Sequence, residues 1–248
     1  MEERASLAEL QIRITTGEGK TMLVKDWMSK NVITVDENDS MFDATKIMKK
    51  NDIRMLPVMK KGKLVGVVTD RDLKRASASD ATTLEIHELI YFLSKIKVKD
   101  IMAKDPITIP SDYTIEETAE VLLENKISGV PVVDDRREIV GVITQSDLFK
   151  VIVSLTGLKR KGIKFAFQLR DEPGSIKELA DVIRKHNGRM ATILTSYDSV
   201  KAGYRKVYIR VYNIDRSKLD QLKEELKEKG TLLYMVDLRE NRREIYAI

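Results

Sequence analysis

The feature that most constrains the fold of this 248-residue chain is an internal repeat. The segment VKDWM at 24–28 returns as VKDIM at 98–102, which is 74 positions later. The segment VGVVT at 65–69 returns as VGVIT at 140–144, which is 75 positions later. The extra residue of the second copy falls in a predicted turn, where repeats tolerate changes of length. The sequence therefore predicts two copies of one structural unit, folded in register.

Each copy has the pattern of a strand, a helix, two strands and a second helix. A capping signature precedes the first helix of each copy, because Ser40 is followed by Asp43 and Thr114 by Glu117 at a spacing of three. Apolar runs on both sides of a Lys-Gly turn within 56–68 predict a hairpin of buried strands. Near-helical apolar spacing between the copies predicts a linking helix.

After Gly162 the pattern changes to strand, helix, strand, strand, helix and strand, an order typical of ferredoxin-like split βαβ folds. Ser175 and Glu178 predict another capping box there. We therefore predict a fold of class α+β or α/β, with two βαββα repeats and a βαββαβ domain. The predicted divisions are an N-terminal extension at 1–21, repeat 1 at 22–75, a linking helix at 76–97, repeat 2 at 98–156, a linker at 157–162, the βαββαβ domain at 163–240 and a tail at 241–248.

Composition limits the classes of function. The chain has no cysteine, which excludes disulfides and thiolate metal sites and fits a reducing cytoplasm. We find no apolar run of about 18 residues and no signal-peptide pattern, so we expect a cytoplasmic protein without a membrane partner. The net charge is only +5, and acidic and basic residues alternate along the chain, which indicates solvated helix faces.

The doubled motif resembles that of the CBS (cystathionine-β-synthase) domain family. The motif residues are Gly66-Val-Val-Thr69-Asp-Arg-Asp72 in the first copy and Gly141-Val-Ile-Thr144-Gln-Ser-Asp147 in the second. Two such copies form a Bateman module in that family. Residues 163–240, with Asp171-Glu-Pro-Gly174, resemble an ACT domain. The order of all elements resembles that of the CBS–ACT proteins of the bacterial acetoin-utilisation type.

This resemblance implies a non-catalytic regulatory protein whose repeat pair binds AMP, ADP, ATP or another adenosyl ligand such as S-adenosylmethionine. It also implies a homodimer that signals, through its ACT domain, to a regulated protein. The nucleotide-binding residues that it implies are Ile33, Thr34, Arg54, Met55, Leu56, Thr69, Arg71, Asp72, Ile107, Thr108, Gly129, Val130, Thr144, Ser146 and Asp147.

The residue types of the Thr-x-x-Asp motif fit this chemistry. Thr69 and Asp72 lie where a predicted strand passes into a helix, whose N-terminus attracts phosphate. A carboxylate can accept two hydrogen bonds from vicinal ribose hydroxyls. The same spacing is also that of an ordinary helix cap. The copies differ, because Arg54 and Arg71 of the first copy are replaced by serines in the second, which predicts tighter phosphate binding by the first.

The ACT resemblance implies that a small ligand, such as an amino acid, binds at the first strand–helix turn. The residues that it implies are Asp171, Pro173, Gly174 and Ser175. The alternative is that these residues form only a tight turn before a capped helix.

Two further classes of function remain open at this stage. The repeat pair could be a dimerisation scaffold that binds no small ligand, or, less expected, a nucleic-acid-associated regulator. We set aside the basic clusters 159–161 and 239–243 as solvated ends, since no nucleic-acid-binding signature accompanies them. We also expect no metal site at His87 and His186 and no catalytic set of nucleophile and base.

Overall fold

The computed structural model describes residues 20–78, 91 and 93–246, and the chain divides into two compact units between Asp147 and Leu148. The predicted linking helix lies largely outside the described residues, although positions 91 and 93–95 are helical. None of the described helices is both long enough and apolar enough to cross a membrane.

The first unit contains the same set of elements twice. In the first copy these are a 3-10 turn (Val24–Asp26), β1 (Val35–Asp36), α1 (Met41–Asn51), β2 (Met55–Lys60), β3 (Lys63–Thr69) and α2 (Asp70–Ala78). In the second copy they are α3 (Val98–Ile101), β4 (Ala103–Lys104), β5 (Ile109–Pro110), α4 (Ile115–Glu124), β6 (Gly129–Val133), β7 (Ile139–Thr144) and α5 (Gln145–Leu155), which continues past Asp147. The predicted order of strand, helix, strand, strand and helix is confirmed in both copies.

The capping boxes predicted at the first helix of each copy are also present. The backbone N–H of Asp43 donates to Ser40 Oγ at 3.1 Å, and that of Glu117 donates to Thr114 Oγ1 at 3.2 Å. In both cases the carboxylate bonds back to the N-cap residue. Each box satisfies amide groups that the first turn of a helix leaves without partners, so α1 and α4 begin at equivalent residues.

The two copies exchange their leading segments. Val24 N–H donates to Tyr113 O at 2.9 Å, and at the equivalent positions Val98 N–H donates to Asp39 O at 2.9 Å. Both valines are completely buried, and Val98 belongs to the apolar cluster formed around Met41 of the first copy. The boundaries of the sequence repeats at 22 and 98 therefore do not coincide with the boundaries of the packed cores.

The second unit contains β8 (Ile163–Arg170), α6 (Ser175–Lys185), β9 (Arg189–Ser196), β10 (Tyr204–Tyr212), α7 (Leu219–Lys227), β11 (Thr231–Asp237) and β12 (Arg242–Ile245). Its strands form one antiparallel sheet in the order β12-β11-β8-β10-β9. Alternate residues of β8, including Phe165 and Phe167, pack with the apolar stripes of both helices in one core. The order of the elements up to β11 follows the sequence analysis.

Two predictions for the second unit are wrong. Residues 242–245, which we predicted to lie in a tail, form β12, which pairs with β11 from Tyr234↔Ile245 to Asp237↔Arg242. The predicted capping box of Ser175 and Glu178 is absent, because α6 has Gly174 as its N-cap at φ 92° without a side-chain cap. Ser175 Oγ instead accepts a hydrogen bond from Arg205 Nη2 at 3.0 Å.

Two glycines allow the exchanged segments to dock. A Cβ added at Gly66 would overlap Met102 Sδ and would lie 2.8 Å from Ala103 O. A Cβ added at Gly141 would overlap Met28 Sδ and would lie 3.2 Å from Ser29 O. We expect Gly66→Ala and Gly141→Ala each to reduce the free energy of unfolding by about 1–3 kcal/mol, the usual cost of overpacking. Urea denaturation measures this loss.

Double-mutant cycles separate the two contacts. Met28→Ala should recover part of the loss in Gly141→Ala, because a flexible side chain is the main obstacle there. Met102→Ala should recover less of the loss in Gly66→Ala, because the carbonyl of Ala103 remains in place. Equal recovery at both sites, or no coupling at either, would contradict this packing.

A polar cluster fastens β12 to α7. The Tyr246 hydroxyl donates to Glu244, and Lys223 Nζ lies 3.0 Å from Glu244 Oε2. With Arg242 also nearby, these groups lower the pKa of Glu244 to about 2 from its ordinary 4.5. Because the folded-state pKa is depressed, this stabilisation is complete above pH 4.5 and is lost as the pH falls towards 2.

We therefore expect Glu244→Gln to lower the free energy of unfolding at pH 7 by about 1.5–3 kcal/mol, the range for a hydrogen bond to a charged group. The difference from the wild type should shrink between pH 4.5 and 2, as the carboxylate of the wild type becomes protonated. Urea denaturation across this pH range measures it, with Glu228→Gln as the exposed control. A difference that stays constant with pH would show that the carboxylate charge does not fasten the strand.

Candidate functional site

The residues of the first motif meet where β2 begins and β3 ends. Met55 is the register partner of Thr69, and the Asp70 N–H donates to Arg54 O at 3.0 Å. These contacts bring Arg54, Met55 and Thr69 together with Arg71 and Asp72 of the first turn of α2. The predicted residues of the first copy that follow position 53 therefore lie close together, with Met55 and Leu56 buried.

The second copy repeats this arrangement. Gly129 is the register partner of Thr144, and the Gln145 N–H donates to Ser128 O at 2.9 Å. A Cβ added at Gly129 would lie 3.2 Å from Met55 Cε and 3.0 Å from Thr144 Cγ2. The two candidate sites therefore adjoin where Met55 of the first copy contacts Gly129 of the second.

The Thr-x-x-Asp motif of the first copy forms a closed cap. Thr69 donates to Asp72 Oδ2 through both its hydroxyl, at 2.6 Å, and its N–H, at 3.0 Å, and the Asp72 N–H donates to Thr69 Oγ1 at 3.3 Å. Asp72 Oδ1 accepts a longer bond of 3.3 Å from Arg75. A hydroxyl has only one proton, so in this geometry Thr69 cannot also donate to a phosphate.

The motif of the second copy shares two of these bonds. Thr144 donates to Asp147 Oδ2 from its hydroxyl at 2.7 Å and from its N–H at 3.0 Å. The interpretation of the motif as a helix cap is therefore confirmed in the first copy, where Thr69 Oγ1 accepts from the Asp72 N–H, and the second copy shares the pairing of threonine with aspartate. Any phosphate contact from either threonine requires the hydroxyl to rotate away from the aspartate.

The copies differ in the charge beside the cap. The side chains of Arg54 and Arg71 are exposed, and neither forms an ion pair within the described part of the chain. Of the first two backbone N–H groups of α2, that of Asp70 donates a hydrogen bond to Arg54 O. The N–H of Arg71 has no hydrogen-bond partner among the described residues. The first copy therefore presents two guanidinium groups and one amide at a helix N-terminus, where the second copy has Ser128 and Ser146.

The predicted adenine-binding residues are buried to different degrees. Leu56 and Val130 have relative exposures of 0% and 1%, so their side chains belong to the core and only their backbone can contact a ligand. Met55 is buried, with a relative exposure of 8%. Ile33 and Thr34 are half-buried, and Ile33 packs against the core of the first copy. Ile107 and Thr108, their equivalents in the second copy, are exposed.

In the second unit, the turn at 171–175 is contacted by an arginine of β10 that we did not predict. Arg205 Nη2 donates to Ser175 Oγ at 3.0 Å, and Nη1 lies 3.4 Å from Asp171 Oδ1. Its Nε is buried and has no hydrogen-bond partner. Pro173 and Gly174 are exposed. Arg205 lies 30 residues from Ser175 in sequence, so no local pattern could have indicated this contact.

The comparisons with known proteins locate the motif in a family. The sequence profile described as the CBS domain matches residues 24–79 and 98–154. An uncharacterized protein of Methanocaldococcus jannaschii is 30% identical over 158 residues, which cover 54% of this chain and 94% of that protein. The chain belongs to the CBS-domain family. Its first unit is a tandem CBS pair, or Bateman module, of mixed α and β structure.

Solved structures include similar CBS pairs. The CBS domain pair of protein MJ0100, in complex with 5'-methylthioadenosine and S-adenosyl-L-methionine, is 36% identical and covers 52% of this chain and 94% of that chain, with a TM-score of 0.46. CBSX2 in complex with AMP is 27% identical and covers 54% of this chain and 97% of that chain, with a TM-score of 0.45. The L-aspartate semialdehyde sulfurtransferase of M. jannaschii is 37% identical, but the match covers 52% of this chain and 23% of that enzyme.

Proposed function

We propose that the CBS pair binds an adenine nucleotide or another adenosyl ligand, and that the chain is a non-catalytic cytoplasmic regulator. The observation that carries this proposal is that Arg54 and Arg71, which flank the start of α2, are exposed and have no ion-pair partner in the described chain, where the Arg71 N–H also has no partner. Arginine forks make strong charge-assisted bonds to phosphate oxygens. We therefore propose that the phosphate of the ligand lies at the start of α2.

The rest of the ligand follows from the neighbouring groups. Asp72 Oδ1, which accepts only a 3.3 Å bond from Arg75, supplies an acceptor for a ribose hydroxyl. Met55 and Ile33 supply an apolar surface for the base, and the backbone of Leu56 supplies its polar edge contacts. In the second copy we propose the equivalent contacts from Ile107, Thr108, Gly129, Val130, Thr144, Ser146 and Asp147. The ligands named for the two CBS complexes above, together with ADP and ATP, define the compounds to test.

We propose that the second unit is an ACT-type regulatory domain. The order of its elements and the turn at 171–175 support this, and the overall order of domains supports kinship with the acetoin-utilisation type. Its small ligand would contact Asp171, Gly174 and Ser175 beside the buried, unpaired Nε of Arg205. Pro173 would limit the flexibility of the turn.

Arg71→Ala tests the phosphate contact. We expect the dissociation constant for AMP to rise about tenfold or more, since hydrogen bonds to charged groups contribute about 1.5–3 kcal/mol and 1.4 kcal/mol is tenfold. The dissociation constant for 5'-methylthioadenosine, which has no phosphate, should change less than about twofold. Isothermal titration calorimetry measures both constants, and Lys46→Ala, which removes an exposed charge from α1, is the control.

Two results would contradict this assignment. An equal loss for AMP and for 5'-methylthioadenosine would mean that Arg71 does not contact phosphate. Equal loss of AMP binding in Asp72→Ala and Asp147→Ala would mean that the two copies do not differ as ligand sites. Both aspartates accept hydrogen bonds from the hydroxyl and the N–H of the motif threonine, so the loss of these two bonds is common to both variants.

The alternative function is a structural scaffold. The hydrogen bonds within both motifs favour it, since the hydroxyl protons of Thr69 and Thr144 are already donated to the aspartates. Thermal unfolding separates the two functions. A ligand at about 100 times its dissociation constant adds about 2.7 kcal/mol of stability. If none of the adenosyl compounds raises the unfolding temperature at millimolar concentration, the scaffold is the better description.

We further propose that the protein is a homodimer. Phe149, Ile152 and Val153 lie on one face of α5 with relative exposures of 62%, 53% and 38%. Adjacent exposed apolar side chains of this kind usually mark an interaction surface. We expect multi-angle light scattering to give a dimer mass for the wild type and for Ile245→Ser, an exposed control, and a monomer mass for Phe149→Ser/Ile152→Ser. A monomeric wild type would overturn this proposal.

A further inference from the structure

A cavity of about 980 Å³ lies at the end of the second unit where β8 begins and β10 ends. The end of α6 and the start of β9 also line it, together with the loop that leads into α7. It is at the opposite end of β8 from the turn at 171–175, so it is distinct from the ACT-type site proposed above. Its volume is within the range of small-molecule sites, about 300–1,000 Å³.

The lining of this cavity is strongly basic. It contains seven arginine and lysine side chains, which come from four separate stretches of the chain, and one carboxylate, that of Asp215. The cations are Arg160, Lys161, Lys185, Arg189, Arg216, Lys218 and Arg239. Two basic clusters that the sequence places almost 80 residues apart, at 159–161 and 239–243, therefore contribute to one concave surface.

Some of these charges are already neutralised. Lys185 lies 2.9 Å from Glu225, and Arg216 forms a forked pair with the buried carboxylate of Asp237 at 2.8 and 3.1 Å. Asp215 Oδ1 accepts bonds from the N–H and the hydroxyl of Ser217, which hold the pKa of Asp215 below its ordinary value. This carboxylate therefore remains charged but is engaged in its own turn.

The other cations have no such compensation. Lys161, Arg189, Lys218 and Arg239 are exposed, and within the described ranges none of their side chains forms an ion pair. The guanidinium group of Arg160 lies over the ring of Tyr212, at 5.4 Å from its centroid, and forms no ion pair with another described residue. Like charges that converge on a concave surface reinforce one another and concentrate anions there. A ligand that supplies several negative charges would relieve their repulsion.

We propose that this cavity binds a small molecule with a diphosphate or triphosphate group. Several phosphates are required because the cations without ion pairs come from separate segments of the chain, and one phosphate would reach only some of them. Arginines would hold the oxygens in a forked geometry, whereas lysines would act as point charges. The concave shape favours a compact ligand over an extended strand of nucleic acid.

Tripolyphosphate is a suitable probe because it has the charge but no adenosine. The test uses the full chain with Arg54→Ala/Arg71→Ala as the background, so that the CBS phosphate contacts cannot contribute. Calorimetry at constant ionic strength should show one tripolyphosphate site per chain. Arg189→Ala/Lys218→Ala in this background should weaken binding at least about tenfold. Lys50→Ala/Lys201→Ala, which removes two exposed charges elsewhere, should weaken it less than about twofold.

Three results would overturn the proposal. The first is no tripolyphosphate binding in the background protein, and the second is equal weakening by the cavity and control substitutions, which would indicate only general charge attraction. The third is tighter binding of a short single-stranded oligonucleotide that depends on the same cavity residues, which would assign the cavity to nucleic acid. Circular dichroism checks folding, and Arg239→Ala, on a third segment, gives an independent variant. The test remains valid if the CBS pair binds no nucleotide.

Discussion

The first unit depends on the exchange of leading segments between its two copies. Each segment supplies a buried valine and a backbone hydrogen bond to the other copy, from Val24 to Tyr113 and from Val98 to Asp39. Because Val98 completes the apolar cluster around Met41, the first copy has no closed core without the second. This coupling also fixes the relation between the strand ends, so that Met55 and Gly129 meet and the two candidate sites adjoin. A ligand bound at either site therefore acts on a surface to which both copies contribute.

The Thr-x-x-Asp motif performs a structural role at the point where the proposed ligand binds. Its hydrogen bonds start α2 and α5 at equivalent residues and use the proton of each threonine hydroxyl. The motif alone therefore does not separate a ligand site from a scaffold, because the same atoms satisfy the helix in either case. What separates the copies is the residues next to the motif, since Arg54 and Arg71 of the first copy, which form no ion pair with another described residue, are serines in the second.

Local patterns were sufficient to predict much of the fold. The caps at Ser40 and Thr114 and the order of elements in each repeat depend on residues close together in sequence, where spacing determines which groups meet. Contacts between distant residues could not be predicted in this way. Ser175 fits a capping box, but Arg205 takes its hydroxyl, and Gly174 becomes the N-cap instead. For the same reason the exchange of leading segments is not visible in the alignment of the repeats, and β12 was assigned to a tail because four residues are too few for a clear alternation.

The basic cavity shows the same limit for electrostatics. Acidic and basic residues alternate along the sequence. This pattern indicates solvated helix faces when each charge has a neighbour of opposite sign on the same helix, as Lys177 has in Asp181. That inference fails where the chain turns, because loops and strand ends bring together residues whose sequence neighbours point elsewhere. At one end of the second sheet, Lys161, Arg189 and Lys218 converge in this way while the carboxylates nearest to them are engaged with Ser217, Arg216 and Lys185. A net charge of +5 thus understates the local field, and it is the local field that selects a ligand.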